Sequence, residues 1–207
     1  MTDSPAPSQA KQILRRQFLS ERLALSAQRR LILDRQLAAQ LVRFMAERPG
    51  IRVSAFWPFR GEPDLTPALR VLHDAGRRIY LPVLQGQEMT FGRWYPDIAM
   101  RPNRFGIPEP QSAEFCPADT LDWVLMPMLA FTGAGARLGM GGGFYDRTFG
   151  FLLHSDAGPQ PVLVGVAYSL QQAPALPVDR WDVPLSVVIT DLGVHECGLS
   201  ERDPTAS

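Results

Sequence analysis

Seven glycines fall within residues 133–150, and four of them, Gly139, Gly141, Gly142 and Gly143, sit in the run RLGMGGGFYDR from Arg137 to Arg147. Glycine has no Cβ. A run of this density can adopt φ > 0, turn several backbone N–H groups toward one point and let a bulky anion approach closely. Arg137 adds a full positive charge. Asp146 adds a hard oxygen ligand of the kind Mg²⁺ accepts from a protein when phosphate oxygens complete its shell. A helix starting near Phe144 adds a partly positive N-terminus. The chemistry these residues define is the binding of a phosphate-rich ligand with a divalent cation; a purely structural glycine loop is the alternative. The run contains no G-K-[ST], so it is not a Walker A loop, and Phe144 stands where the dinucleotide fingerprint requires Gly or Ala.

Three further clusters could serve such a site. Asp179 and Asp182 lie in LPVDRWDVPLSVVITD (residues 176–191), in a loop before an apolar strand. Trp57 and Glu62 lie in FWPFRGEPD (residues 56–64), after a strand, where three aromatics accompany one carboxylate and either pack in the core or line a site. Trp94 and Tyr95, in FGRWYP (residues 91–96), would either form a flat slot for a fused-ring ligand or pack in the core. Lys11 is the only lysine in the chain, against twenty arginines. A compact ammonium and a planar guanidinium are different partners for a phosphate, so a single lysine points to a specific task. His73, His154 and His195 are scattered and fit no catalytic spacing.

The elements that must position these residues read as an α/β domain. Residues 9–25 have helical periodicity, with Lys11, Arg15 and Arg22 on one stripe and Leu14, Phe18 and Leu25 on the next. A second helix runs from a Ser26 cap to about residue 48, with Leu33, Leu37, Leu41, Phe44 and Met45 at helical spacing. Strands are expected at 51–57, 78–83, 123–126, 161–167 and 187–190, a β-ribbon at 89–95, and helices at 65–75 (with Asp64 as its cap) and 144–153. Residues 96–118 hold five prolines and read as a long ordered loop. Short apolar strands separated by helices indicate a mainly parallel sheet, whose ligands bind beyond the carboxyl ends of the strands. Residues 1–8 read as disordered, 9–194 as a single domain and 195–207 as a tail.

With 45% hydrophobic and 20% charged residues the composition is that of a globular protein. No apolar run approaches a membrane span, and no secretory signal opens the chain. Cys116 and Cys197 stand alone, which fits the cytoplasm. Net charge is zero, but residues 1–60 carry a balance of +7 and the remainder −7. That basic third keeps a nucleotide- or RNA-binding regulatory module as an alternative. RNA binders interleave aromatics with basic residues, and here the basic stripe and the aromatics lie apart.

Taken together, these clusters resemble the 5-formyltetrahydrofolate cyclo-ligase (methenyltetrahydrofolate synthetase) family, from Lys11 to Asp191. RLGMGGGFYDR is similar to the family's R-L-G-x-G-G-G-[YF]-Y-D-R. Lys11-x-x-x-Arg15, Gly61-Glu62-x-Asp64, FGIPEP at residues 105–110 and Trp181-Asp182-Val183-Pro184 follow in the family's order. The resemblance implies a three-layer α/β sandwich with a mainly parallel sheet, similar to the sugar-isomerase and CoA-transferase superfamily. It also implies MgATP-driven conversion of 5-formyltetrahydrofolate into 5,10-methenyltetrahydrofolate, with ADP and phosphate released. By matched position, Lys11, Arg15, Arg137, Leu138, Gly139, Met140, Gly141, Gly142, Gly143, Phe144 and Tyr145 would bind ATP. Asp146 and Asp182 would hold Mg²⁺, and Trp57, Glu62, Trp94 and Tyr145 would bind the folate. Lys11, Arg137 and Tyr145 form the implied catalytic set. The implied partners are ATP and a folate, with no nucleic acid and no membrane, on a monomer. A paralogue that activates a different amide or carboxylate is the enzymatic alternative. Thr132 and Met140 replace a frequent acid and a frequent base of the family, Ser186 a frequent Asp, and Asp191 a frequent Glu.

Overall fold

Ser26 separates two helices. In the computed structural model, which describes residues 7–154 and 160–198, these are α1 (Pro7–Leu23) and α2 (Ala27–Ala46). The Ser26 hydroxyl accepts the Arg29 N–H at 3.2 Å and caps α2. The expected stripe of Leu33, Leu37, Leu41, Phe44 and Met45 is the buried face of α2. α3 (Thr66–Asp74) starts one residue later than expected. Leu65 takes the cap position, while the Asp64 carboxylate accepts the Thr66 N–H at 2.9 Å.

The strands in chain order are β1 (Arg52–Ser54), β2 (Arg78–Gln85), β3 (Glu88–Trp94), β4 (Met100–Pro102), β5 (Pro108–Pro110), β6 (Phe115–Cys116), β7 (Trp123–Pro127), β8 (Ala130–Phe131), β9 (Arg137–Leu138), β10 (Val162–Val166), β11 (Val187–Thr190) and β12 (Gly193–Glu196). Eight of them form one sheet in the order β12-β11-β10-β7-β1-β2-β3-β6. The five central strands, β11 to β2, are parallel; the outer pairings are antiparallel. Both faces are covered, so the interior positions of the central strands are mostly apolar, as in parallel strands generally. Ile79, Leu125, Val164 and Ile189 point into the core under α2 and α3. Tyr80, Val124, Met126, Leu163 and Val188 point into the opposite core, against Phe149 of α4 (Phe144–Phe149). The architecture is the expected α/β sandwich with helices on either side of a mostly parallel sheet. No helix among the described residues is long and apolar enough to cross a membrane.

Four expectations are corrected. Residues 96–118 are not one loop: β4 and β5 pair as a hairpin, and β6 extends the main sheet beside β3. The hairpin is a separate two-stranded sheet whose edges tolerate proline. Residues 195 and 196, expected to open a tail, belong to β12, which pairs antiparallel with β11; residues 199–207 lie outside those described. Pro7 and Ser8, expected to be disordered, open α1, and residues 1–6 lie outside those described. The 144–153 helix is α-helical only to Phe149 and continues as a 3₁₀ turn, Gly150–Leu153.

Candidate functional site

Chain order reverses across the sheet at β1, which has β2 on one side and β7 on the other. Loops leaving the carboxyl ends of two such strands diverge, and open α/β sheets bind ligands in the crevice between them. A cleft of about 1490 Å³ opens there, lined by Phe56 and Trp57 after β1 and by Pro127 and Met128 at the end of β7. Its volume exceeds the roughly 300–1,000 Å³ of a site for one drug-sized ligand.

The glycine segment forms one wall. Gly141 and Gly143 adopt φ of 96° and 63°, the left-handed region the sequence calls for at this run; Gly139 and Gly142 do not. At Gly141 a Cβ would lie 3.4 Å from the Arg15 guanidinium, so α1 rests directly on the segment. Arg15 Nε donates to the Gly139 carbonyl at 3.0 Å and fixes that contact. Among the described residues, the backbone N–H groups of 140–143 have no acceptor. Gly143 stands at the N-terminus of α4, whose six residues make its dipole a minor contribution.

Two ion pairs set the electrostatics of this end. Arg137 Nη2 donates to Asp146 Oδ1 at 2.5 Å, and the Val183 N–H reaches the same oxygen at 3.3 Å. Lys11 Nζ donates to Asp179 Oδ2 at 2.7 Å and to Asp182 Oδ2 at 2.6 Å. Burial works against charge on Lys11, yet the two carboxylates outweigh it and hold its pKa above the ordinary lysine value. The 179–182 turn is closed by its own groups: Asp182 N–H donates to the Asp179 carbonyl at 3.0 Å, and Asp179 N–H to Asp182 Oδ2 at 2.9 Å. The Val183 contact thus brings the Asp146 and Asp182 segments together. Asp146 Oδ2 and Asp182 Oδ1 accept no hydrogen bond from the described residues. The two free carboxylate oxygens could each offer one ligand to a hard divalent ion that draws the rest from phosphate and water, while Lys11 and Arg137 would meet the phosphate charge. No three acidic, His or Cys side chains converge among the described residues, so an all-protein cage is not the arrangement.

The other end is apolar and holds a single acid. Trp57, Glu62 and Tyr145 line it. Glu62 is 9% exposed, and its Oε2 accepts the Phe59 N–H at 3.1 Å. Burial pushes its carboxyl up to about 7, against the lowering effects of the facing Arg22 charge and of that N–H. Tyr145 lies between the two ends. Burial, and then the Glu62 charge, raise its phenol pKa, while Arg137 lowers it. Because folded Glu62 binds its proton more tightly than the unfolded chain does, its ionisation weakens the fold as pH rises from about 4.5 to about 7. The loss amounts to roughly 3 kcal/mol. Glu62→Gln is therefore expected to be more stable than the wild type at pH 8 and similar to it near pH 4.5. Urea melts at both values check this; parallel pH profiles for the two proteins would contradict it.

Every residue expected at the site lines this cleft except Trp94 and Tyr95. Trp94 is 3% exposed and packs in the core with Ile79 and Leu81, in register with Ile79 on β2, so it cannot flank a ligand. Several cleft residues were not expected. Asn103, Phe105 and Ile107 of the β4–β5 hairpin overhang it, and the Phe105 ring meets Phe144 edge-on at 6.3 Å. Asp179, singled out with Asp182 in the sequence, also lines the cleft and shares Lys11 with it. Arg22, placed on the Lys11–Arg15 stripe, is fully buried.

A mostly parallel sheet with a cleft at its switch point, cationic and glycine-lined at one end and aromatic at the other, defines an α/β domain built around a small-ligand site. Residues 7–191 match the 5-formyltetrahydrofolate cyclo-ligase family. The 5-formyltetrahydrofolate cyclo-ligase of Escherichia coli (strain K12) is 36% identical over 180 residues, which is 84% of this chain and 97% of that protein. The enzyme of the same name from Haemophilus influenzae is 33% identical over 183 residues, 86% and 96% of the two chains. Among solved structures, the 5,10-methenyltetrahydrofolate synthetase of Aquifex aeolicus superposes with a TM-score of 0.74 at 30% identity, covering 94% of this chain and 98% of that one. The Mycoplasma pneumoniae synthetase gives 0.70 at 28% identity, covering 87% and 98%. The chain belongs to the 5-formyltetrahydrofolate cyclo-ligase family and is a ligase.

Proposed function

We propose that this protein converts 5-formyltetrahydrofolate and ATP into 5,10-methenyltetrahydrofolate, ADP and phosphate, with Mg²⁺ as the metal. The observation that carries the proposal is a single cleft of about 1490 Å³ with a phosphate-suited end and a ring-suited end that meet at Tyr145. Family membership supports ATP as co-substrate.

A formamide carbon is a poor electrophile because the nitrogen lone pair is delocalised onto oxygen. In the proposed reaction the formyl oxygen attacks the γ-phosphorus and ADP departs. The formyl carbon is left iminium-like, with phosphate as its leaving group. N10 then attacks that carbon, closing the ring; its N–H bond gives up a proton to solvent or to the departing phosphate, and the C–O bond breaks to release phosphate. The protein's part is positioning and charge stabilisation. Lys11, Arg15 and Arg137 would take the phosphate charge, with the free N–H groups of residues 140–143 facing the same ligand. Asp146 and Asp182 would hold Mg²⁺, which when bound neutralises charge on the phosphate oxygens. Trp57 would cover the pterin ring, and the Glu62 carboxylate would accept its amide and amino hydrogens. Tyr145 would separate the two ligands. A cytoplasmic, monomeric protein goes with this assignment, and Cys116 and Cys197 are free thiols.

Mixing the protein with 5-formyltetrahydrofolate and MgATP is expected to produce the near-ultraviolet absorbance of the methenyl product, dependent on both ATP and Mg²⁺. Nucleotide binding without product would overturn the proposal and favour a paralogue acting on another amide.

A further inference from the structure

A fully buried arginine in a domain of this size needs a reason, because removing a guanidinium from water is costly unless it is paired and hydrogen-bonded. Arg22, in the last turn of α1, is 0% exposed. Its Nε donates to the Arg60 carbonyl at 3.2 Å and its Nη1 to the Met128 carbonyl at 3.0 Å; Nη2 is buried with no partner among the described residues. No carboxylate forms an ion pair with it among the described residues. The acid whose charge it feels is Glu62.

Arg60 and Gly61 both adopt left-handed backbone, with φ of 47° and 77°. For a non-glycine residue such as Arg60 this conformation is uncommon and persists only where its surroundings impose it. Here the constraints are visible. Arg22 holds the Arg60 carbonyl. The Arg30 guanidinium lies so close to Gly61 that a Cβ there would overlap it. The Glu62 N–H donates to the Phe59 carbonyl at 3.1 Å, and the Asp34 carboxylate accepts the Asp64 N–H at 3.2 Å. Arg22 also ties this turn to the far side of the cleft, since the Met128 carbonyl it holds is shared with Gln171 Nε2 at 2.7 Å. Arg22 thus bridges the loops that leave β1 and β7, behind the floor of the cleft, without lining it.

We propose that Arg22 is a positioning residue for substrate recognition: its buried guanidinium ties the Phe59–Glu62 turn, through the Arg60 carbonyl, to the loop after β7 and so sets where the Glu62 carboxylate stands. The inference rests on the assignment of Glu62 to the pterin end of the substrate. A carboxylate accepts two adjacent ring N–H donors, whereas a protonated carboxyl presents one donor of its own and loses the match. Burial disfavours the ionised form of Glu62, and the Arg22 charge and the Phe59 N–H favour it.

The test is a double-mutant cycle on Arg22→Lys and Glu62→Gln, read as KM for the formyl substrate and KM for MgATP, with each protein's melting recorded. Arg22→Lys keeps the charge but has no fork to bridge the two carbonyls. It is expected to raise KM for the formyl substrate by about tenfold or more, with KM for MgATP within about twofold. In the Glu62→Gln background the same substitution should add little. Arg22→Met, an apolar replacement of similar length, should also move the fall in KM with rising pH to higher pH. Equal effects of Arg22→Lys in both backgrounds, or equal effects on both KM values, would show a merely structural role and overturn the inference. If Arg22→Met does not fold, the lysine cycle still decides. Turnover by the wild type with an additive cycle overturns this inference alone, whereas no methenyl product from the wild type overturns the proposed function and this inference with it.

Discussion

Asp146→Ala is expected to lower kcat by at least about a hundredfold to a thousandfold in a protein that remains folded. The side chain has two tasks in the proposed reaction. Its Oδ1 aligns Arg137, at 2.5 Å, and accepts the Val183 N–H at 3.3 Å. Its Oδ2 is free to meet Mg²⁺. Alanine removes both, and it leaves Arg137, whose Nε already lacks a partner among the described residues, without its one carboxylate. Asp146→Asn separates the tasks. The amide oxygen can still accept from Arg137 and Val183, but it is a much weaker ligand for a hard divalent cation. If Asp146 acts through the metal, Asn and Ala lose similar amounts of kcat, and the Mg²⁺ concentration for half-maximal activity rises in the Asn variant. Near-full activity of Asp146→Asn at ordinary Mg²⁺ would leave Arg137 alignment as its only role and remove the metal assignment.

The parts of this site that were legible in the sequence are those whose composition has no cheaper explanation. Four glycines in five residues are poor helix and strand material, and their density together with the flanking Arg137 and Asp146 favours a ligand over a purely structural loop. The α2 stripe was legible for the same kind of reason, since a 3.6-residue apolar period needs a core to face. Trp94 failed because a strand residue's face follows from its register. Trp94 stands opposite Ile79 and so joins the core, whereas the same tryptophan one position along would point to the other side of the sheet. Arg22 shares a helical stripe with Lys11 and Arg15, but helical periodicity does not say what covers each turn. The 179–182 turn covers Lys11, the glycine segment covers Arg15, and the Arg60 turn covers Arg22. The β4–β5 hairpin was hidden by its prolines, which argue against a central strand but not against an isolated pair at the cleft mouth. Asp179 finds its cation 168 residues away, a distance at which spacing carries no signal.

Lys11→Met is the second substitution with a large expected effect. The Lys11 ammonium lies between Asp179 and Asp182, with its side chain only 9% exposed. Asp182 is also the second carboxylate assigned to Mg²⁺, so loading of the site requires an exchange. On that assignment Asp182 would hold the metal, and the Lys11 ammonium would turn part of its charge to the phosphate. Methionine keeps the length and apolar stem of the side chain and removes the charge. KM for ATP is expected to rise by roughly a hundredfold, and kcat to fall with it, because a charge-assisted phosphate contact is lost in a partly desolvated cleft. KM for the formyl substrate should change little, since Lys11 is at the opposite end from Glu62. Lys11→Arg should not restore activity: a planar guanidinium cannot occupy the point between two carboxylates 2.7 and 2.6 Å away and then turn to a phosphate. Loss of the ammonium also leaves two like charges on one turn, at a cost of about 1–3 kcal/mol in stability. Millimolar Mg²⁺ without nucleotide should recover part of that loss in Lys11→Met by replacing the missing cation at Asp182, and should leave the wild-type melting temperature unchanged. A Lys11→Met protein with KM for ATP within about threefold of wild type, or with a melting temperature indifferent to Mg²⁺, would mean that the 179–182 turn is a structural ion pair and that the nucleotide end of the cleft is built on Arg15 and Arg137 alone.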